Sequence, residues 1–370
     1  MDDNISKKFY QKDYNARLDE ITIAGSLNKE QIKAIKSSAV SDNEKLVENY
    51  LMSIHTPVGL LRKIMVNHRE YMVPMATDEP SVVAAANNGA KMLGNITTTS
   101  KHAVITGEIF VISDAIEEFI KDKRQLINLV ADSAVPNLVE RGGGMKDISV
   151  RKASDYESIV DILVDPVDAM GANMVNTICE AVAGVFKSNG FDVLTGIVSN
   201  YLNNAVISVE AEIDISEIGL ETAENIEALS HFGKIDIHRA TTENKGIMNG
   251  IDAVVLATGN DTRATSAAIH SFASRNGSYV GLSTWEIDGN SLVGKMDIPI
   301  HVGIVGGTIG ERKDIKTALS IINPKTADEL SNVIASVGLV QNFAALKALT
   351  TEGIQEGHMK MQRRATNTDD

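Results

Sequence analysis

Residues 102–112, HAVITGEIFVI, leave helical spacing for the two-residue period of a half-buried strand. Working outward, Asp114-Ala-Ile-Glu117 has the form of a helix start, and helical spacing runs on towards Val135. Residues 146–150 and 158–164 read as a strand pair across a polar loop, 172–186 as a helix, and 192–198 and 205–215 as closing strands. In the last of these, Ile207, Val209, Ala211, Ile213 and Ile215 alternate with Ser208, Glu210, Glu212 and Asp214. The order β-α-β-β-α-β is that of the split βαβ, or ferredoxin-like, arrangement. It predicts an α+β chain with a compact domain, residues 101–216, inserted in a larger and mostly helical one built from 1–100 and 217–350.

On the N-terminal side, the first hundred residues read as helices joined by loops. Asn28-x-x-Gln31 has the form of a capping box, a second helix is expected over 43–52, and 70–75 alternates. The Ala-rich stretch after Pro80 is a strong helix former. On the C-terminal side a hairpin is expected over 278–300, turning through Asp288-Gly289-Asn290, and Thr326-x-x-Glu329 should cap a long helix. The last eight residues, RRATNTDD, offer almost no apolar surface and are expected to be an unstructured tail.

Composition narrows the function. Lys and Arg number 35 against 49 Asp and Glu, a net charge of -14. That disfavours nucleic acid or an anionic membrane as the main partner. The one cysteine, Cys179, lies in an apolar helical pattern, so it reads as packing, without a disulfide framework and in a reducing compartment. The polar N-terminus and the lack of an 18-residue apolar run point to a cytoplasmic chain. No H-E-x-x-H occurs, His55, His231 and His270 read as surface or packing residues, and no metal is expected. Neither G-x-G-x-x-G nor a P-loop is present, so a Rossmann domain is not supported.

Residues 239–263, RATTENKGIMNGIDAVVLATGNDTR, place Lys245 in Asn-Lys-Gly, Asn249 four residues on, and Asp261 in Gly-Asn-Asp at an expected helix start. Taken alone, these are a solvated lysine and a capping aspartate. Glu79-Pro80-Ser81 is either a first-turn glutamate facing the helix dipole or a carboxyl presented at the helix start. Asp168-Ala-Met-Gly-Ala-Asn-Met174 joins a strand to a helix. Gly171 would allow close backbone approach, and the free N–H groups suit a pyrophosphate; a plain turn is the alternative. Residues 141–147, RGGGMKD, read as a flexible loop or as one wall of a cofactor site. Residues 306–310 read as a turn.

Together with Ser199-Asn200, Gln341-Asn342 and Gly357-His358-Met359, these patches follow one order and approximate spacing over residues 14–361. In them the chain resembles the class II 3-hydroxy-3-methylglutaryl-CoA (HMG-CoA) reductases, the soluble bacterial form. The resemblance implies reduction of HMG-CoA to mevalonate and coenzyme A with two NADPH or NADH, or the reverse. It implies that Lys245 stabilises the oxyanion, Glu79 donates a proton, Asp261 sets the charge balance and His358 protonates the departing thiolate. Ser81, Arg239, Asn249, Asn200 and Gln341 would hold substrate, with Arg239 suited to a carboxylate. Asp168, Met170, Gly171, Ala172 and Asn173 would hold the dinucleotide on the ferredoxin-like insert. A homodimer, or an oligomer of dimers, with shared active sites is also implied.

The chain departs from the family in four places. Glu243 stands where Thr-His-Asn-Lys is usual, which would alter the electrostatics around Lys245. Glu48-Asn49-Tyr50-Leu51-Met52 replaces the usual Glu-Asn-Val-Ile-Gly dimerisation segment. Val135 occupies the position at which some members carry an acid for the ribose of NADH, leaving NADPH and NADH both open. The resemblance stops near Gln362, so the expectation is a truncated C-terminal flap, residues 351–370 being its start and a disordered tail. A flap-less protein that binds coenzyme A and dinucleotide but turns over slowly is the alternative.

Overall fold

The computed structural model describes residues 8–351 and Gly353. The chain divides after Pro57 into two compact units. In the first, α1 (Tyr14–Ala24) is capped by Asp13, and α2 (Lys29–Ser38) begins with the expected capping box of Asn28 and Gln31. No α-helix follows over 43–52. A short 3-10 turn, Ser41–Lys45, stands there, Leu46 and Val47 are exposed, and Asn49 has φ +57. A helix this short draws its stability from packing, and Leu46 and Val47 are exposed.

The second unit runs β1 (Val58–Val66), β2 (Arg69–Ala76), α3 (Pro80–Leu93), β3 (Asn95–Ser100), β4 (Ile105–Ile112), α4 (Ile116–Ala134), α5 (Pro136–Glu140), β5 (Gly144–Lys152), β6 (Ser158–Asp165) and α6 (Ala172–Ser188). It continues through β7 (Asp192–Val198), β8 (Val206–Asp214), α7 (Ile215–Ile218), α8 (Leu220–Ile235), α9 (Ile237–Ala257), α10 (Thr262–Ala273), β9 (Ser283–Asp288), β10 (Ser291–Pro299), α11 (Lys313–Ile322) and α12 (Ala327–Thr350).

The smaller sheet has the order β5-β6-β4-β7 with every pair antiparallel, which is the ferredoxin-like arrangement. Its alternating strands bury Ile109, Val111, Val160 and Ile162 against α4 and α6, in a core of their own that includes Phe186. Cys179 is buried there as packing, and burial pushes its thiol up to about 12. The helix start differs in detail from the expectation. Ala115, not Asp114, is the N-cap of α4, and it makes no side-chain cap.

The strand expected over 205–215 does not close this sheet. β8 pairs with β10 along its whole length and with β3, in a six-stranded sheet of order β2-β1-β3-β8-β10-β9. Its alternation holds, with Ile207, Val209, Ala211 and Ile213 buried, but it faces the larger core. The smaller sheet therefore ends at Val198. The first hundred residues also hold β1 and β3 where helices and loops are expected. Residues 58–66 are two short apolar runs split by Arg62-Lys63, without alternation, and the register with β2 shifts between Leu61 and Ile64, which obscures the strand period.

The larger sheet wraps α12, a 24-residue helix with mean hydropathy 1.4 over its most apolar window. It is apolar enough to cross a membrane, yet 72% of that window is buried inside the protein, as the core helix. Thr326 caps its start by accepting from Glu329 N. α3, α8 and α9 pack around it, and that packing fixes the helix ends at which the candidate residues lie.

Candidate active site

Proline is favoured at the first helical position because its missing N–H costs nothing there. Pro80 starts α3 in this way and puts Glu79 at the N-cap, where its side chain does not cap its own helix. The carboxylate is left to Lys245, whose Nζ lies 3.2 Å from Glu79 Oε2, and to Ser81, whose Oγ donates to Oε1 at 3.2 Å. Lys245 is 63% exposed and Glu79 38%, so the pair opens to the surface. α9 is held in phase by its neighbour Asn244, which donates to Val280 O and accepts from Leu282 N. Asn249 follows one turn beyond Lys245, half-buried on the same face.

Arg239, in the first turn of α9, bonds neither of these residues and turns towards Glu243, with its Nε 3.7 Å from Glu243 Oε2. Glu243 is only 2% exposed and accepts from Ser283 Oγ at 2.8 Å. Burial pushes its carboxyl above the ordinary range, against the opposing pull of Ser283, Arg239 and Lys234. Gln341 is buried on α12 against Gly250 of α9, its Oε1 without a hydrogen bond. Asn342 faces inward and accepts from Trp285 Nε1 and Ser283 Oγ, which makes it a core residue.

A second group lies beyond the C-terminal end of α9, beside the start of α10. A cavity of about 20 Å³ is lined by Met170, Ala172, Ser199, Asn200, Thr265 and His301, among others. Gly171, φ +87, is the N-cap of α6, and a Cβ there would come within 2.6 Å of Pro166. Asn173 is exposed in the first turn of this 17-residue helix, whose N-terminus has no side-chain cap. Its leading N–H groups are therefore available to an anion. Asp168 is turned away, its Oδ1 accepting from Ala327 N at the start of α12. The segment is also tied to the loop after β10, through Ile304 N to Asp168 O and His301 Nε2 to Ala169 O.

Asp261 belongs with this second group. It caps α10, accepting from Arg263 N and Ala264 N, and makes no bond to Lys245 or Glu79. α9 from Lys245 to Ala257 rises about 18 Å. Asn260 N stays bonded to Val255 O, so Asp261 begins beyond the far end of the helix. His358 lies outside the described residues.

Several residues here escaped sequence reasoning. His102 bridges Asp165 at 2.9 Å and Asp328 at 2.6 Å, and these carboxylates raise its pKa. Asp252 carries an oxygen without a partner, and burial alone lifts it to about 6. Val135 is buried, but exposed Asp132 stands beside the glycine cluster, its Oδ1 3.7 Å from where a Cβ on Gly144 would be. None leaves a local sequence signal, because burial and long-range partners create each role. Residues 141–143 form the turn from α5 into β5 and 144–147 begin that strand, and His270 is a surface residue that meets Tyr279 Oη at 2.8 Å. Among the described residues, no three His, Cys, Asp or Glu side chains cluster as metal ligands.

The family model for hydroxymethylglutaryl-coenzyme A reductase matches residues 14–363. The chain is 39% identical to the 3-hydroxy-3-methylglutaryl-coenzyme A reductase of Archaeoglobus fulgidus, over 96% of this chain and 85% of that protein. It is 36% identical to a probable reductase of the same kind from Borreliella burgdorferi, over 85% of this chain and 76% of the relative. Among solved structures it is similar to the class II reductase of Streptococcus pneumoniae bound to NADPH in open conformations. The TM-score is 0.81 at 36% identity, covering 93% of this chain and 99% of that one.

Proposed function

The chain belongs to the hydroxymethylglutaryl-coenzyme A reductase family, and from that membership we propose that it interconverts HMG-CoA and mevalonate with release of coenzyme A. The observation that carries the residue assignment is the Glu79–Lys245 pair at 3.2 Å, with Ser81 on the same carboxylate. Lys245 supplies a cation to the oxygen on which negative charge develops as the thioester is reduced. Glu79 is within hydrogen-bond reach of the same place and passes a proton to the aldehyde oxygen in the second step. Asn249, Ser81 and Gln341 position the substrate, Arg239 receives its free carboxylate, and His358 protonates the thiolate of coenzyme A.

The nicotinamide dinucleotide supplies two hydrides when bound. The uncapped N-terminus of α6 fits its pyrophosphate, with Met170, Gly171, Ala172 and Asn173 shaping the approach and Asn200 flanking it. Asp168 contributes by anchoring that segment to α12. NADPH and NADH are both candidates, and Asp132 stands beside the glycine cluster.

Lys245 lies near the middle of α9 and Asp261 beyond its C-terminal end, and the dinucleotide segment shares a cavity with the start of α10. We therefore assign each complete site to two copies of the chain in a homodimer. One copy provides Glu79 and Lys245. Its partner provides Asp261 and the ferredoxin-like insert, which sets the larger substrate-binding region against the smaller dinucleotide-binding one. We place this dimer in the cytoplasm.

Mixing the purified chain with HMG-CoA and either NADPH or NADH, and following nicotinamide absorbance, tests the reading. Consumption lost in Lys245→Ala supports it and identifies the cofactor. Consumption unchanged in that variant removes Lys245 from the reaction, and none with either cofactor removes the reductase reading.

A further inference from the structure

Glu243 sits in a chamber built for a carboxylate, although the neighbouring chemistry assigns it nothing to do. Two glycines give it room. A Cβ on Gly233 would lie 2.3 Å from Glu243 Oε2, and one on Gly281 would lie 3.2 Å from Oε1. The two glycines are themselves joined, Gly281 N donating to Gly233 O at 2.7 Å. Burying a carboxylate this deeply costs several kcal/mol unless it is paired. Yet the pairing is incomplete. Glu243 Oε2 and Arg239 Nε are buried, face each other at 3.7 Å, and neither has a hydrogen-bond partner. A shift of about 1 Å would turn this gap into a charge-assisted hydrogen bond.

We propose that Glu243 is the positioning residue for Arg239, holding the guanidinium in the orientation that receives the free carboxylate of the substrate. This rests on the reductase reading above, which gives Arg239 its ligand. The i,i+4 spacing on α9 sets both side chains on one face. The remaining groups facing Glu243 are Lys234 from α8, Ser283 from β9 and Asn342 from α12. Ser283 has one proton and two acceptors in reach, Glu243 Oε1 at 2.8 Å and Asn342 Oδ1 at 3.0 Å. With Glu243 ionised, Ser283 donates to it and the negative charge holds Arg239. With Glu243 protonated, its O–H donates to Ser283, the serine turns to Asn342, and Arg239 loses its counter-charge. The chamber gives the Glu243 and Ser283 hydroxyl protons an acceptor in both forms, and only the ionised form holds Arg239.

The test is Glu243→Gln, which keeps the shape and removes the charge. The KM for HMG-CoA should rise about tenfold while kcat falls less than about threefold. Binding of a CoA thioester that lacks the distal carboxylate, and of the dinucleotide, should stay at the wild-type level. The wild-type KM for HMG-CoA should rise as pH falls through the mildly acidic range, and that dependence should vanish in the variant. A variant matching the wild type in KM and pH profile overturns the proposal, and so does one that weakens both thioesters equally, because that outcome marks a packing role. Calorimetric titration with HMG-CoA separates the two readings. No binding or turnover by the wild type removes the reductase reading, whereas an active wild type with an indifferent Glu243→Gln removes only the positioning role.

Discussion

Lys245 and Glu79 form an ion pair open to solvent, and exposed pairs of this kind contribute at most about 1 kcal/mol to folding. Their removal should therefore be read in activity and hardly in stability. Lys245→Ala is expected to lower kcat by about two to three orders of magnitude while the melting temperature moves by no more than about 2 °C. Asp252 is the opposite case. Burial raises its carboxyl from 3.8 to about 6, and no hydrogen bond offsets the desolvation of its Oδ1. The folded state then holds this proton more tightly than the unfolded chain, so the penalty is absent below the unfolded value and complete above about 6. Asp252→Asn should stabilise the protein by roughly 1–2 kcal/mol near neutral pH and by nothing near about pH 3.5, as urea unfolding at the two pH values will show. A gain that is the same at both would rule out the titration. Lys245 and Glu79 were legible because their short motifs carry chemistry. Asp252 was not, because its neighbours come from elsewhere in the fold.

The smaller sheet is tied to α12 by side chains at strand and helix ends. His102, just before β4, lies between Asp165 at the end of β6 and Asp328 in the first turn of α12. Both carboxylates favour the imidazolium, so the folded pKa lies above the ordinary 6.5. The stabilisation is complete below the unfolded value and is lost as pH rises through the folded one. The wild type should lose melting temperature relative to His102→Ala as pH rises above the ordinary imidazole value, and a constant difference would contradict the bridge. The alternation of 102–112 and 205–215 was readable as strand. Which sheet β8 joins was not, since alternation gives a buried face and is silent about the partner across the ladder. β10, eighty-five residues further on, decides it by matching Val206–Asp214 residue for residue. The 43–52 helix failed for a related reason: Leu46 and Val47 have the right composition and stay exposed, while Tyr50 is buried from a non-helical backbone.

Across the whole molecule, one helix separates the chemistry into two halves. Glu79 and Ser81 meet Lys245 on the first half of α9, whereas Asp261 starts α10 beyond its end, and the next turn of α10 lines a cavity with Met170, Ala172 and Asn200. Sequence motifs named these residues and the resemblance grouped Glu79, Lys245 and Asp261 in one shared site, but motif order along a chain carries no information about which copy completes which site. The most direct test is turnover by Lys245→Ala, by Asp261→Asn, and by an equal mixture of the two after subunit exchange. If the site is shared as proposed, half of the exchanged dimers are mixed and each restores one of its two sites, so the mixture should recover about a quarter of wild-type activity while either variant alone stays near zero. A mixture as inactive as its parts would place Lys245 and Asp261 in one subunit's site and contradict the account.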